Sequence, residues 1–237
     1  MADTKFTEEE LKSLSDLQSA YQQKQLQFGQ LKVQKILLEQ QLKTLDDRQT
    51  QMEVDYVNIQ ATEKISLGRF ASTLSDVISR VLITRSVQKS DMEVLEIGTL
   101  FGIASILIHE TIRPFSKSLR STVIDPFDGY YKQGELDKPT GLPISLSTFD
   151  KNLRISGVER SEFRILQGFS NSNEILEKAS ERKYQVIVVD GDHSYEGVKS
   201  DVELYTPLLD DGGVLIIDDY GTPDWPDITA YIDELVE

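Results

Sequence analysis

The chain has 237 residues, a formal net charge of −15, 39% apolar residues and no cysteine. That length allows one large domain or a domain with an appendage, and the missing cysteine rules out disulfides and thiolate metal sites. The negative charge argues against a nucleic acid or an anionic membrane as partner, since nothing would offset phosphate repulsion. No apolar run approaches the roughly 18 residues of a membrane span. The N-terminus shows no charged region followed by an apolar one, so no signal peptide is expected and a cytoplasmic location is.

Residues 7 to about 64 contain no proline and a single glycine, Gly29, and hold 12 Gln between Gln18 and Gln60. Thr7 followed three residues on by Glu10 predicts a capping-box helix start. Alternating three- and four-residue steps then pick out Leu14, Leu17, Tyr21, Lys24, Phe28, Leu31, Lys35, Leu38, Leu42, Leu45, Gln49, Met52, Tyr56 and Ile59. All but Lys24, Lys35 and Gln49 are apolar, which predicts a coiled coil over residues 1–65. Asp46-Asp47 is either a bend between two antiparallel helices or a pair of exposed positions. A long helix with one apolar stripe needs a partner, either itself folded back or another subunit. The Gln-rich run from Leu26-Gln27-Phe28 to Leu42-Lys43-Thr44-Leu45 resembles the coiled coil of β-type prefoldins. That resemblance implies helices that mediate assembly and hold clients. The plainer reading is an oligomerisation helix, and either way self-association is expected.

From Ile65 the period changes. Phe70, Leu74, Val77, Ile78, Val81 and Leu82 mark an amphipathic helix. Strands are predicted at Glu93–Ile97, Ser121–Asp125, Phe163–Gln167, Val186–Val189 and Val214–Ile217. Helices alternate with them at Ile103–Ile112, Leu146–Ile155, Asn173–Ala179, Glu196–Leu209 and Asp227–Val236. Short strands alternating with helices predict an α/β fold, a Rossmann-like doubly wound parallel sheet of about five strands over residues 66–237.

Three apolar runs end in glycine or acid: Val94–Gly102, Val188–His193 and Ile216–Tyr220. That is how buried parallel strands read when polar groups gather at their carboxyl ends, the edge where such sheets bind ligands. In Glu96-Ile-Gly98-Thr-Leu-Phe-Gly102, Gly98 permits a sharp turn and Gly102 a close approach to a helix N-terminus. The spacing is not that of the dinucleotide-binding fingerprint. Asp125, at the end of the second strand, stands where an acid accepts hydrogen bonds from ribose hydroxyls.

These strings, with Ile124-Asp125, Gly168-Phe169-Ser170, Val189-Asp190-Gly-Asp-His193-Ser-Tyr195-Glu196 and Gly212-Gly213 through Asp218-Asp219-Tyr220, resemble class I S-adenosylmethionine-dependent methyltransferases. Within these they are similar to the branch of macrocin-type sugar O-methyltransferases and cephalosporin hydroxylase-like proteins. The resemblance implies that Glu96, Gly98 and Gly102 cradle the methionine part of the cofactor, that Asp125 holds the ribose, that Gly168 and Ser170 lie by the adenine, and that Asp190 borders the cofactor. Relatives often carry Asp where Phe169 stands. It also implies two further strands after the fifth, for which no sequence follows.

Asp190, Asp218 and Asp219 end neighbouring predicted strands. Carboxylates converging there would repel unless a hard divalent cation joined them. In the resembled enzymes such a site holds Mg²⁺ against substrate hydroxyls. The alternative is N-capping by Asp219 and Asp192. His193 is the expected general base, with capping or ligation as its alternatives; His109 is expected to be structural. Tyr130 and Tyr131, in the loop from Pro126 to Pro143, either stack on a sugar or pack the loop, and Trp225 either lines the acceptor site or packs. The expected protein is an O-methyltransferase that uses S-adenosylmethionine and Mg²⁺ on a hydroxyl of a sugar or other small molecule. The alternative is a coiled-coil assembly or holdase protein whose Rossmann-like part is vestigial.

Overall fold

A computed structural model describes residues 7–87, 89–129 and 134–236. Tyr130 and Tyr131 lie outside the described residues. The chain divides between Val54 and Asp55 into two compact units.

The first unit is one helix. α1 (Glu8–Ile65) starts at the expected capping box, where Thr7 N–H donates to Glu10 Oε2 at 2.8 Å. It passes unbroken through Gly29 and through Asp46-Asp47, so the fold-back allowed by the sequence does not occur. Those two acids are exposed helical positions. The last turns of α1 belong to the second unit. There Ile59 is fully buried, and Asp55 pairs with Arg85.

The second unit is a five-stranded parallel sheet. Its strands are β1 (Asp91–Ile97), β2 (Ser118–Asp125), β3 (Phe163–Gln167), β4 (Tyr184–Val189) and β5 (Leu209–Ile217), in the spatial order β3-β2-β1-β4-β5. The connecting helices are α2 (Leu74–Ser86), α3 (Ile103–Ile112), α4 (Leu146–Ser156), α5 (Asn173–Ala179), α6 (Tyr195–Tyr205) and α7 (Pro226–Val236). Strand alternation sends Val186 and Val188 to one face and Ile187 and Val189 to the other. The first pair packs with Val77 of α2, Ile103 of α3 and Ile59 of α1. The second packs with Ile175, Val202 and Ile228 of α5, α6 and α7. β4, covered on both faces, is buried throughout, the pattern of a central parallel strand.

Boundaries shift where local chemistry overrides the apolar pattern. α2 begins at Leu74 rather than near Phe70, because Thr73 and Asp76 form a capping box there. The helix expected to reach Leu209 ends at Tyr205, and Thr206–Leu208, with Pro207, form a tighter turn because proline supplies no N–H. β5 then begins at Leu209, five residues early, and runs through Gly212-Gly213. No described helix is long and apolar enough to cross a membrane.

After β3 the chain returns to β1 and adds β4 on its other side, which reverses the direction in which strands are added. The helices on either side of β1 splay apart there and leave a crevice at the strands' carboxyl ends.

Candidate functional site

A cleft of about 760 Å³ occupies that crevice. The turn after β1 forms its floor. Gly98 and Gly102 have φ of 78° and 77°, and Leu100 between them has 52°. A Cβ on Gly98 would lie 2.0 Å from the Asp190 carbonyl oxygen, and one on Gly102 would lie 2.1 Å from the Phe149 ring. Only glycine fits both the left-handed backbone and the space. The turn is therefore pressed against the end of β4, which brings two of the sequence strings together.

Glu96 lies beneath the turn at 3% exposure. Its Oε1 accepts from Arg80 Nη1 at 3.3 Å, and its Oε2 accepts from Thr99 Oγ1 at 3.3 Å and from Ser105 Oγ. With both oxygens engaged, Glu96 braces the turn from below. Burial pushes its carboxyl up to about 8, against the pull of Arg80. Asp125 is likewise engaged: Oδ2 accepts from the Thr99 and Leu100 amides at 2.9 and 3.3 Å, and Oδ1 from Phe127 at 2.7 Å. It ties the turn after β1 to the end of β2.

At the far end, Gly168 and Ser170 follow β3. Ser170 Oγ donates to Asp201 Oδ1 at 2.5 Å, and the Ser170 carbonyl accepts from Tyr205 at 2.9 Å. Phe169, at 63% exposure, lines the cleft between them.

The acids near β4 and β5 divide into two sets. Arg80 Nη2 donates to Asp190 Oδ2 at 2.8 Å and to Ser72 Oγ at 2.9 Å, and it pairs with Asp218. Asp218 Oδ2 also accepts from Ser72 at 2.9 Å. Asp218 is therefore held by a guanidinium and a hydroxyl, apart from the other two acids of the expected metal-ligating trio. The second set is Asp190 Oδ1, Asp219 Oδ2 and His193 Nε2, which all lie within 4.8 Å of one another. His193 Nε2 is 3.4 Å from Asp190 Oδ1 and 3.1 Å from Asp219 Oδ2. Its ring stacks on Trp225 with centroids 4.4 Å apart, which fixes its plane. Burial works against the imidazolium, but the two carboxylates override it and raise the His193 pKa to about 9. Burial works to raise Asp190, and Arg80 and His193 hold it below the usual carboxylate range. Asp192 Oδ1 accepts the Ser194 amide at 2.9 Å just before α6, but the cap of that helix is Ser194, whose Oγ accepts the Gly197 amide at 3.1 Å. His109 is buried between Ser121 and Glu162.

Two residues of the cleft, Arg80 and Asp201, are not among those expected from the sequence. Each is a charged side chain on the buried face of a helix. Arg80 stands between Val77, Val81 and Thr84, and Asp201 between Val198, Val202 and Tyr205. That placement is their sequence signal. Among the described residues, Asp201 Oδ2 is buried without a hydrogen-bond partner, and burial pushes the carboxyl up to about 6, against the Ser170 hydrogen bond. The folded state thus holds this proton more tightly than an ordinary aspartate at 3.8. Its contribution to stability is fully present below about pH 4 and is lost as pH rises through 6. In ligand-free protein, Asp201→Asn should therefore raise unfolding free energy at pH 7.5 by up to about 3 kcal/mol, with the gain vanishing below pH 4. Urea denaturation at the two pH values checks this, and a variant less stable at pH 7.5 would refute it.

A methyltransferase-domain family model matches residues 95–220. Uncharacterized protein R132 of Acanthamoeba polyphaga mimivirus is 24% identical over 156 residues, 65% of this chain and 63% of that protein. The match thus spans under two thirds of that relative's length. Among solved structures, the SAH-bound methyltransferase PaMTH1 of Podospora anserina superposes with a TM-score of 0.52 at 16% identity, over 82% of this chain and 86% of its own. The O-methyltransferase NovP gives 0.52 at 20% identity, over 68% and 71%. The TDP-rhamnose 3'-O-methyltransferase CalS11, from calicheamicin biosynthesis, gives 0.50 at 17% identity, over 68% and 70%. At these identities the likeness is one of fold.

Proposed function

This chain belongs to the methyltransferase-domain family, and from that premise we propose that it transfers the methyl group of S-adenosylmethionine to a hydroxyl of a sugar or other small molecule. One observation carries the reading. The glycine turn and the Asp190–His193–Asp219 cluster share a single cleft at the carboxyl edge of the sheet.

The residues present fit the cofactor. Gly98 and Gly102 bare the backbone at the floor for its methionine end, with Glu96 holding the turn in shape. Asp125 would share Oδ1 between the Phe127 amide and a ribose hydroxyl. Gly168 and Ser170 border the purine end, where the buried Asp201 Oδ2 offers an acceptor that no group among the described residues fills. An orphaned buried acceptor is costly unless a ligand satisfies it.

For the transfer, His193 first gives up the proton that Asp190 and Asp219 hold on it up to about pH 9, and its neutral Nε2 then takes the proton leaving the acceptor hydroxyl, so the rate rises with pH toward 9. Asp190 and Asp219 stabilise the imidazolium that forms, and Trp225 keeps the ring in plane. Asp190 and Asp219 also offer oxygens that suit a hard cation such as Mg²⁺, which would supply Lewis acidity toward that hydroxyl. The catalytic role falls to the α/β part expected at residues 66–237. The exposed heptad stripe of α1, within the expected segment 1–65, serves self-association as a coiled coil.

Titration of S-adenosylhomocysteine by calorimetry, with Mg²⁺ and with a chelator, tests the cofactor reading. Binding of similar affinity in both is expected, because the glycine turn, Asp125, Gly168 and Ser170 hold the cofactor without using the carboxylates that would bind a cation. A folded sample that binds in neither condition would overturn the reading.

A further inference from the structure

We propose that α1 pairs with α1 of a second copy as an antiparallel two-stranded coiled coil whose two-fold axis passes between Ile36 and Leu37. The inference rests on the self-association reading above and adds its orientation and register.

The apolar stripe from Leu14 to Met52 is exposed among the described residues. Leu14, Leu17, Tyr21, Phe28, Leu31, Leu38, Leu42, Leu45 and Met52 are all between 47% and 69% exposed. α1 is unbroken, so it does not cover its own stripe. A lone helix of this kind does not persist in water without a partner for its apolar face.

The polar residues of the stripe choose the orientation. With Leu14, Tyr21, Phe28, Lys35, Leu42 and Gln49 at a positions, the d positions are Leu17, Lys24, Leu31, Leu38, Leu45 and Met52. A parallel pair in register sets each residue against its own copy. Lys24 would face the partner's Lys24 and Lys35 the partner's Lys35, two like-charged layers in a desolvated seam. An antiparallel pair sets a against d. About the proposed axis, Tyr21 meets the partner's Met52, Phe28 the partner's Leu45, and Leu42 the partner's Leu31. Lys35 meets the partner's Leu38, and Lys24 meets the partner's Gln49. No two lysines share a layer.

The flanking residues choose the register. In antiparallel pairs, e positions flank e positions. Lys32 then faces the partner's Glu39, and the two-fold axis repeats the pair. Gln25 faces the partner's Asp46, and Gln18 the partner's Glu53. Sliding the helices by one heptad in one direction sets Lys32 against the partner's Lys32. Sliding them the other way sets Glu39 against the partner's Glu39. The first of these replaces the two Lys32–Glu39 attractions with a repulsion, and the second, though it pairs Lys32 with the partner's Asp46, carries a Glu39–Glu39 repulsion that the proposed register lacks.

The surface at the axis has the matching shape. A hollow of about 320 Å³ is lined by Leu31, Gln34, Lys35, Leu38, Glu39 and Leu42. Those six residues are two adjoining four-residue holes of the kind that receive knobs in a coiled coil. In this register the first hole takes the partner's Leu38. The second takes the partner's Lys35, whose ammonium then meets Glu39.

The chain has no cysteine, so cross-links report orientation directly. Full-length Tyr21→Cys and Met52→Cys variants are oxidised separately and as a mixture, and mass is measured by light scattering. A two-copy mass and disulfide-linked dimers in the mixture alone are expected. Cross-linking of Tyr21→Cys by itself would overturn the orientation while leaving self-association standing. A one-copy mass would overturn both, and a mass above two copies would overturn the two-stranded pairing. As a second arm, Lys32→Glu should weaken dimerisation roughly tenfold, and the double variant Lys32→Glu/Glu39→Lys should restore it. Equal affinities for wild type and Lys32→Glu would overturn the register. Binding of S-adenosylhomocysteine, measured in parallel, stays unchanged throughout, which separates this inference from the catalytic one.

Discussion

Replacing Arg80 by methionine is expected to lower unfolding free energy at pH 7 by about 3–5 kcal/mol, the cost of removing one partner from a buried ionic network. Arg80 is 2% exposed and meets three carboxylates at once, those of Glu96, Asp190 and Asp218. Its planar fork divides them: Nη1 serves Glu96, while Nη2 serves Asp190, Asp218 and the Ser72 hydroxyl. Methionine fills a similar volume, so little of the loss would come from a cavity. The loss comes from leaving three acids desolvated together. Burial already pushes Glu96 up to about 8 and raises Asp218, even with the guanidinium present. Without it, these carboxyls bind protons still more tightly in the folded state than in the unfolded chain. The deficit is therefore largest at high pH and shrinks as pH falls and the acids protonate. Urea denaturation of wild type and variant at pH 8 and pH 5 measures both the size and the sign. Arg80→Lys should fall between them, because an ammonium keeps the charge but not the fork. A methionine variant as stable as wild type at pH 8 would show that the network contributes no net stability.

The Arg80 network explains how much of this molecule can be read from its sequence. Apolar runs ending in glycine or acid give the strands and their ligand-bearing edge, because a parallel strand is buried on both faces and polar only where it ends. The ends of elements are less legible. The start of α2 depends on the Thr73–Asp76 box, and the end of α6 on Pro207, each a local preference set against an apolar pattern that runs on. Least legible is which acid faces which cation. Asp218 and Asp219 are adjacent in sequence, yet the chain turns between them, with Asp219 at φ 61°. One carboxylate goes to Arg80 and the other to His193. Arg80 and Asp190 meet across 110 residues of sequence, a distance over which pattern carries no information. The charge on the buried stripe of α2 does carry some. An arginine among Val77, Val81 and Thr84 must find anions inside the fold, and here these are the acids at the carboxyl edge of the sheet.

Replacing His193 by glutamine is expected to lower the rate of methyl transfer by about 10²–10⁴-fold, the contribution typical of a positioned general base. The affinity for S-adenosylhomocysteine should stay within about threefold, because the glycine turn, Asp125 and the Ser170–Asp201 pair do not depend on the imidazole. The substitution keeps a polar side chain of comparable reach against Asp190 and Asp219 but removes the group that accepts a proton. The two readouts together divide the roles that the geometry allows. If His193 serves only to cap or pack, both rate and affinity stay near wild type, and the base assignment fails. If it serves as a cation ligand, the loss of rate is recovered by raising Mg²⁺ or Mn²⁺, since weakened coordination is a binding defect that mass action repairs. If it is the base, no concentration of cation restores the rate, and the defect lies in kcat rather than KM. Asp219→Asn provides the companion measurement. It leaves the imidazole beside Asp190 alone, removing one of the two carboxylates that stabilise the imidazolium, and should lower the rate less than His193→Gln does. An Asp219→Asn variant more impaired than His193→Gln would shift the assignment away from proton transfer and toward coordination as the main task of this cluster.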